Sequence, residues 1–194
     1  MVKYYDKYKK KPERHWKLYE MRGGYYSLVQ DSITQFKETG SVIDVGCGDG
    51  VSSYILVSKG FNVLGIDNAV EGMETAVRKT VGLPFTGKVM RVEDYVNDYD
   101  DEFDYLYSLN TIEHLEDPTA LIKLMRNIKR FGIIVTDNKK FRGGSKYHNI
   151  MFSRESLREL FKDFKTEEFH FSHDEAEKLF IGLKVYGYSK QRRG

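Results

Sequence analysis

One cysteine and three prolines among 194 residues remove two kinds of architecture at once. A lone Cys47 can close no internal disulfide and build no cysteine cluster for zinc, which fits a reducing cytoplasm. No apolar run approaches the ~20 residues needed to span a bilayer. The first residues are polar and tyrosine-rich without an apolar h-region, so no secretory signal is expected there. Charge of one sign is also lacking: 31 basic residues stand against 29 acidic ones. A net charge of +2 provides no global attraction to nucleic acid. There are no internal repeats and no low-complexity linker. With 40% hydrophobic residues, the length fits one soluble globular domain with a full core.

Glycine, by contrast, is concentrated. Val42 to Gly50 reads V-I-D-V-G-C-G-D-G, an apolar strand and an acid followed by three glycines at alternating positions. Such a strand end lets the backbone turn sharply and approach a ligand that any Cβ would block. The dinucleotide fingerprint G-x-G-x-x-G would place its third glycine at Val51, whereas here it comes one residue early, at Gly50. About 20 residues on, where a ribose-binding acid is expected at the end of a second strand, V-L-G-I-D supplies Asp67. The geometry is Rossmann-like, and the glycine spacing is not that of an NAD site.

Asp44-Val45-Gly46-Cys47-Gly48-Asp49-Gly50, Asp67, Phe103-Asp104-Tyr105 and Ile112-Glu113-His114-Leu115 together resemble the class I S-adenosylmethionine-dependent methyltransferases. The resemblance runs from about Val42 to the helix around Leu157, most of the chain. Its first motif is specific, and the later ones, individually loose, come in the right order. It implies an α/β, Rossmann-like class I methyltransferase fold: a mostly parallel seven-stranded sheet, helices on both faces and a closing antiparallel strand pair. It also implies S-adenosyl-L-methionine as cofactor and S-adenosyl-L-homocysteine as product.

The patterning predicts strands at 42–45, 62–66, 88–92, 104–109 and 133–136, alternating with helices as in a parallel sheet. Helices are expected over 51–59 and 70–79, with another opened by Asp117-Pro118 and facing the core with Leu121, Leu124, Met125 and Ile128. Ser153 should cap a helix whose apolar side is Leu157, Leu160, Phe161 and Phe164. Segments 166–172 and 181–189 supply the antiparallel pair. Residues 1–40 read as an N-terminal helical cap on a methyltransferase domain over 41–194. The cap is aromatic, with Tyr4, Tyr5, Tyr8, Trp16, Tyr19, Tyr25 and Tyr26. Those rings wall the cleft or staple the cap to the sheet; for any single residue the staple is favoured.

The resemblance assigns cofactor contacts to Asp44, Gly46, Cys47, Gly48, Gly50, Asp67, Asn68 and Ser108. Asp67 accepts from the ribose hydroxyls, and amides at the helix start after Gly50 suit the carboxylate. The adenine amino group needs an acceptor after the third strand, for which Asp94 is the first choice and Glu93 the second. Arg22, beside Gly23-Gly24, is a possible bidentate partner for the methionine carboxylate. The catalytic candidates are His114, Glu113 and His148. His114 follows the fourth strand and reads as a base, or as a hydrogen-bonding member of its loop. Small-RNA 3′-end ribose methyltransferases and ubiquinone-pathway O-methyltransferases carry a Glu-x-x-Glu-His metal motif at this point. Glu113, His114 and the later His148 match parts of it, but its first glutamate is Asn110 here. A hard divalent ion prefers carboxylates, so no residue is assigned to a metal.

Basic residues gather at Lys3, Lys7, Lys9, Lys10, Lys11, Arg14 and Lys17, at Lys190, Arg192 and Arg193, and in the loop Lys139, Lys140, Arg142, Gly143, Gly144 and Lys146. They either steer an anionic substrate or form solvated surface. The leading expectation is O- or N-methylation of a small molecule or sugar. Alternatives are methylation of nucleic acid, of the ribose 2′-O type, and a catalytically silent cofactor-binding module. No membrane association is expected.

Overall fold

The computed structural model describes residues 6–141 and 147–187. Lys3, Tyr4, Tyr5, Arg142, Gly143, Gly144, Lys146, Lys190, Arg192 and Arg193, and the end of the last expected strand at Ser189, lie outside the described residues. Strands form where β-branched and aromatic residues alternate: β1 (Ser41–Val45), β2 (Asn62–Asp67), β3 (Phe85–Val89), β4 (Phe103–Leu109), β5 (Ile128–Asp137), β6 (Thr166–Phe169) and β7 (Phe180–Tyr186). They make one seven-stranded sheet in the order β3-β2-β1-β4-β5-β7-β6. The first five strands pair in parallel, and β7 runs antiparallel to both β5 and β6.

A period of two along each strand divides the core between the sheet's faces. Val42, Tyr105, Tyr107, Ile133 and Val135 pack on one side against α3 (Gly24–Ile33), α4 (Val51–Ser58) and α9 (Asp174–Leu179). Ile43, Val45, Leu106 and Ile134 pack on the other against α6 (Val92–Asp98), α7 (Thr119–Met125) and α8 (Arg154–Leu160). The amphipathic α5 (Val70–Lys79) lies beside β3 and buries Met73 and Ala76 next to Cys47. Before the sheet come α1 (Asp6–Lys10) and α2 (Arg14–Glu20). Ser153 caps α8 as expected, in a reciprocal box with Ser156: its Oγ accepts the Ser156 amide at 3.1 Å, and Ser156 Oγ accepts the Ser153 amide at 2.9 Å.

Four segments differ from the sequence reading. The third strand is Phe85–Val89, three residues earlier than expected, because Phe85 fits over Gly65, where a Cβ would lie 2.7 Å from its ring. Val92, expected to end that strand, instead begins α6, whose first turn carries Glu93 and Asp94 and whose buried face is Val92 and Tyr95. Ile128, placed on the α7 face, opens β5, since the helix closes at Arg126. The strand expected over 166–172 stops at Phe169, and α9 then brings the chain into β7.

Phe36 joins the N-terminal segment to the sheet, with ring centroids 5.0 Å from Tyr105, 5.4 Å from Phe131 and 5.6 Å from Phe61. Phe36→Ala should cost about 3–5 kcal/mol. Urea denaturation followed by circular dichroism checks this.

Candidate active site

The β1 tip is held by its neighbour before any ligand is considered. The amides of Gly46 and Cys47 donate to the Ile66 carbonyl at 2.8 and 3.2 Å. Gly46 and Gly48 then adopt left-handed φ values of 73° and 54°, which side chains rarely accept. A Cβ on Gly46 would lie 2.1 Å from Thr111 Oγ1, and one on Gly48 2.1 Å from the Tyr8 hydroxyl. Gly50 takes the N-cap position of α4. Asp67, ending β2, accepts the Gly48 amide at 2.8 Å and the Ala69 amide at 2.7 Å. Burial raises its pKa while these two amides oppose the rise. Asp44 is buried beneath the turn and accepts from Ser53 Oγ at 2.6 Å; desolvation pushes its pKa up to about 7.

The tips of β1, β2, β3 and β4 surround a cavity of about 460 Å³. Of the expected cofactor residues, Asp44, Gly46, Cys47, Asp67, Asn68 and Glu93 line it. Gly48 and Gly50 shape the turn without lining the cavity. Glu93, the second choice for the adenine acceptor, lines the cavity, and Asp94, the first, does not. Asp94 is exposed one residue further along α6 and is not a lining residue, because the helix turns it outward. Glu93 accepts the Glu116 amide at 3.1 Å and lies 3.3 Å from the Arg91 guanidinium. Ser108 is fully buried within β4 with its hydroxyl unpartnered, so it stands behind the cavity wall. Arg22 is exposed and stacks 4.5 Å above the Tyr26 ring, away from the cavity lining.

The three catalytic candidates gather behind the β4 tip, and only His114 lines the cavity. Its Nδ1 is 2.8 Å from the Tyr147 carbonyl, so Nδ1 carries the proton and Nε2 the lone pair of the neutral ring. Burial, with a small contribution from His148, lowers its pKa to about 4. Glu113 is buried: Oε2 accepts from Thr136 at 2.9 Å, Oε1 has no hydrogen-bond partner, and desolvation pushes its pKa up to about 8. His148 stacks edge-on to His114 with centroids 4.9 Å apart, its Nε2 3.4 Å from Asp137 Oδ2. Ligating atoms of Glu113, His114 and His148 fall within 4.8 Å of one another. Two imidazoles and one carboxyl supply fewer anionic oxygens than the shell a hard divalent ion prefers. Asn110, where the metal motif has a glutamate, sits at φ 51° with its buried Oδ1 unpartnered and lines the cavity.

Sequence reasoning passed over His15, Asp49, Arg91, Thr111 and Tyr147, all of which line the cavity. His15 and Asp49 are 34 positions apart, and no local spacing marks them as neighbours.

A family model described as a methyltransferase domain matches residues 17–135, more than half of the chain. The chain belongs to the class I S-adenosylmethionine-dependent methyltransferases. Curated relatives include the ubiquinone biosynthesis O-methyltransferase of Histophilus somni (strain 2336), 32% identical over 127 residues, covering 61% of this chain and 52% of that protein. The same enzyme of Actinobacillus pleuropneumoniae serotype 7 (strain AP76) is 32% identical over 88 residues, 42% of this chain and 38% of that one. The chain thus spans about half or less of the curated relatives it matches. Among solved structures, a chain from the complex of the Haloferax volcanii Trm112 methyltransferase activator with a methyltransferase superposes with a TM-score of 0.78 at 15% identity, covering 94% and 97% of the two chains. Magnesium protoporphyrin IX methyltransferase of Synechocystis PCC 6803 gives 0.65 at 18% identity, over 84% and 81%. These likenesses establish the fold of this methyltransferase.

Glu113 has a folded pKa raised above that of the free side chain, so the folded state holds its proton more tightly. Its contribution to stability is therefore lost as pH rises from about 4.5 through about 8. Glu113→Gln should remove that component, making the variant's stability fall less steeply than the wild type's across this window. Urea midpoints at stepped pH measure it. The difference between the two proteins matters, since Asp44 titrates in an overlapping range.

Proposed function

We propose that this chain transfers a methyl group from S-adenosylmethionine to an oxygen, or a nitrogen, of a small molecule or sugar in the cytoplasm. The observation that carries this reading is the meeting of the glycine turn, Asp67 and a neutral His114 at one cavity. When bound, the donor supplies an electrophilic methyl group on a sulfonium sulfur.

The chain's own residues then have distinct tasks. Each Asp67 oxygen already receives one amide and retains a lone pair for a ribose hydroxyl. Glu93 and Asn68 border the same cavity and suit the adenine edge. The unpartnered Asn110 Oδ1 suits an ammonium group. His114 stays neutral down to about pH 4, and a neutral imidazole can take the acceptor's proton at neutral pH. A protonated imidazole there would instead repel a cationic donor.

Electrostatics supports a small neutral acceptor. Among the described residues, Asp49, Asp67, Glu93 and Glu116 line the cavity against one guanidinium, Arg91. That balance favours a cationic donor and opposes a phosphate-bearing acceptor. The relatives named as O-methyltransferases support oxygen as the methylated atom. Among the described residues no helix is long and apolar enough to cross a membrane.

Tritiated-methyl transfer into fractionated metabolites, polysaccharides and nucleic acids tests the reading. Label in a small-molecule or sugar fraction supports it. Label confined to nucleic acid overturns the acceptor class, and none anywhere leaves the silent binding module. With an acceptor in hand, His114→Ala should lower kcat by about 10²–10⁴ while S-adenosylhomocysteine binds as before. Asp67→Ala should weaken that binding at least about tenfold, read by calorimetry. Unchanged affinity would remove the ribose assignment.

A further inference from the structure

The N-terminal helices meet the glycine turn at one buried acid. Asp49 is 1% exposed, yet its carboxylate faces α2: Oδ2 accepts the His15 amide at 2.8 Å and Oδ1 lies 3.1 Å from His15 Nδ1. The Asp49 carbonyl accepts the Trp16 indole N–H at 2.7 Å. Tyr8, on α1, brings its hydroxyl within 3.2 Å of the same His15 nitrogen, over the place where a Gly48 side chain would begin. Tyr25, on α3, stacks on the His15 ring at 5.4 Å with 23° between planes. Tyr8, His15, Tyr25 and Asp49 line the cavity together with Asp67 and His114.

A contact that only fastened the helices to the sheet would be indifferent to what fills the cavity. Here the fastened side chains are themselves its wall, so any ligand inside shares surface with them. Charge-assisted hydrogen bonds to a buried carboxylate are about twice as strong as neutral ones, strong enough to govern whether such a wall stays in place. A second feature points the same way. Gly48 is left-handed at φ 54°, and the space its missing Cβ leaves is taken by the Tyr8 hydroxyl. One turn is thereby shaped for two neighbours, the ligand in the cavity and the helix above it.

We propose that Asp49 is a positioning residue that acts through His15, holding Tyr8, His15 and Tyr25 as the wall enclosing the methyl donor, so that the donor leaves only when this clasp opens. The proposal rests on the donor reading given under Proposed function. It makes α1 and α2 part of the donor site.

Trp16 is the single tryptophan of the chain, and its bond to the Asp49 carbonyl makes its fluorescence a reporter of the clasp. The experiment is stopped-flow release of S-adenosylhomocysteine from the full-length protein, followed by Trp16 emission. Calorimetry on the wild type comes first: no heat with S-adenosylhomocysteine overturns the donor reading and this proposal together. With binding established, His15→Ala and Asp49→Asn should each release the ligand about tenfold faster or more, the loss expected for a hydrogen bond to a charged group. The double variant should accelerate release by less than the product of the two single effects, because both substitutions remove the Nδ1–Oδ1 contact. Urea midpoints run alongside separate loss of the clasp from general destabilisation. The His15 side chain is 16% exposed, so His15→Ala carries the test alone should Asp49→Asn not fold. Wild-type release rates in the variants, or a double variant whose acceleration is the product of the singles, would sink the clasp while leaving the donor site standing.

Discussion

The cavity depends on one carboxylate that accepts from two amides. Asp67 bridges Gly48 in the turn after β1 and Ala69 in the entry to α5, while the Ile66 carbonyl just before it holds Gly46 and Cys47. Two strand tips and the starts of two helices are thus joined by two residues of β2, Ile66 and Asp67. An acid buried so deeply would ordinarily favour its protonated form; the two amides offset part of that cost by stabilising the anion. The interactions that fix the turn also leave Asp67 accepting capacity on the cavity side.

Around that anchor, burial sorts the ionisable groups by charge. His114 is neutral at pH 7 because desolvation disfavours the imidazolium, and Glu113 is held toward its neutral form for the corresponding reason. The usual expectation for adjacent Glu and His is an ion pair. Here the backbone separates them: the Glu113 side chain points to Thr136 behind the sheet tip, while the His114 ring turns toward the Tyr147 carbonyl and the cavity. A base that must act beside a cationic donor gains from carrying no charge of its own. His148 adds to this from the far side, since a second imidazole at 4.9 Å disfavours protonation of the first.

The sheet was legible in the sequence wherever apolar alternation and turn chemistry agreed. The glycine turn, Asp67, β4 and the Ile133–Thr136 part of β5 each follow from local composition, and the helix over 70–79 coincides with its expected bounds. The reading failed where two periods overlap. Lys88 to Val92 alternates well enough to pass for a strand, yet Glu93 and Asp94 favour the helix N-terminus that begins there. The same misplacement carried Asp94 ahead of Glu93, because a residue's direction at a strand tip depends on where the strand ends. His15 and Asp49 were invisible for a different reason. Their contact is made by tertiary packing across 34 positions, and neither lies in a pattern that periodicity can register.

The glycines themselves carry more than a demand from a ligand. Gly46 yields its side-chain space to Thr111 from the β4 tip, and Gly48 yields its own to Tyr8 from α1. Both glycines are left-handed, so the conformational requirement and the packing requirement coincide at each position. A motif of this kind is usually credited wholly to the cofactor. In this chain all three of its glycines also admit protein atoms: Gly46 from the loop that bears His114, Gly48 from the N-terminal helices and Gly50 from Ala76 of α5. The turn therefore sets the distance between the cavity, the His114 loop and the N-terminal helices, and a single Cβ at Gly46 or Gly48 would push one of them away from the other two.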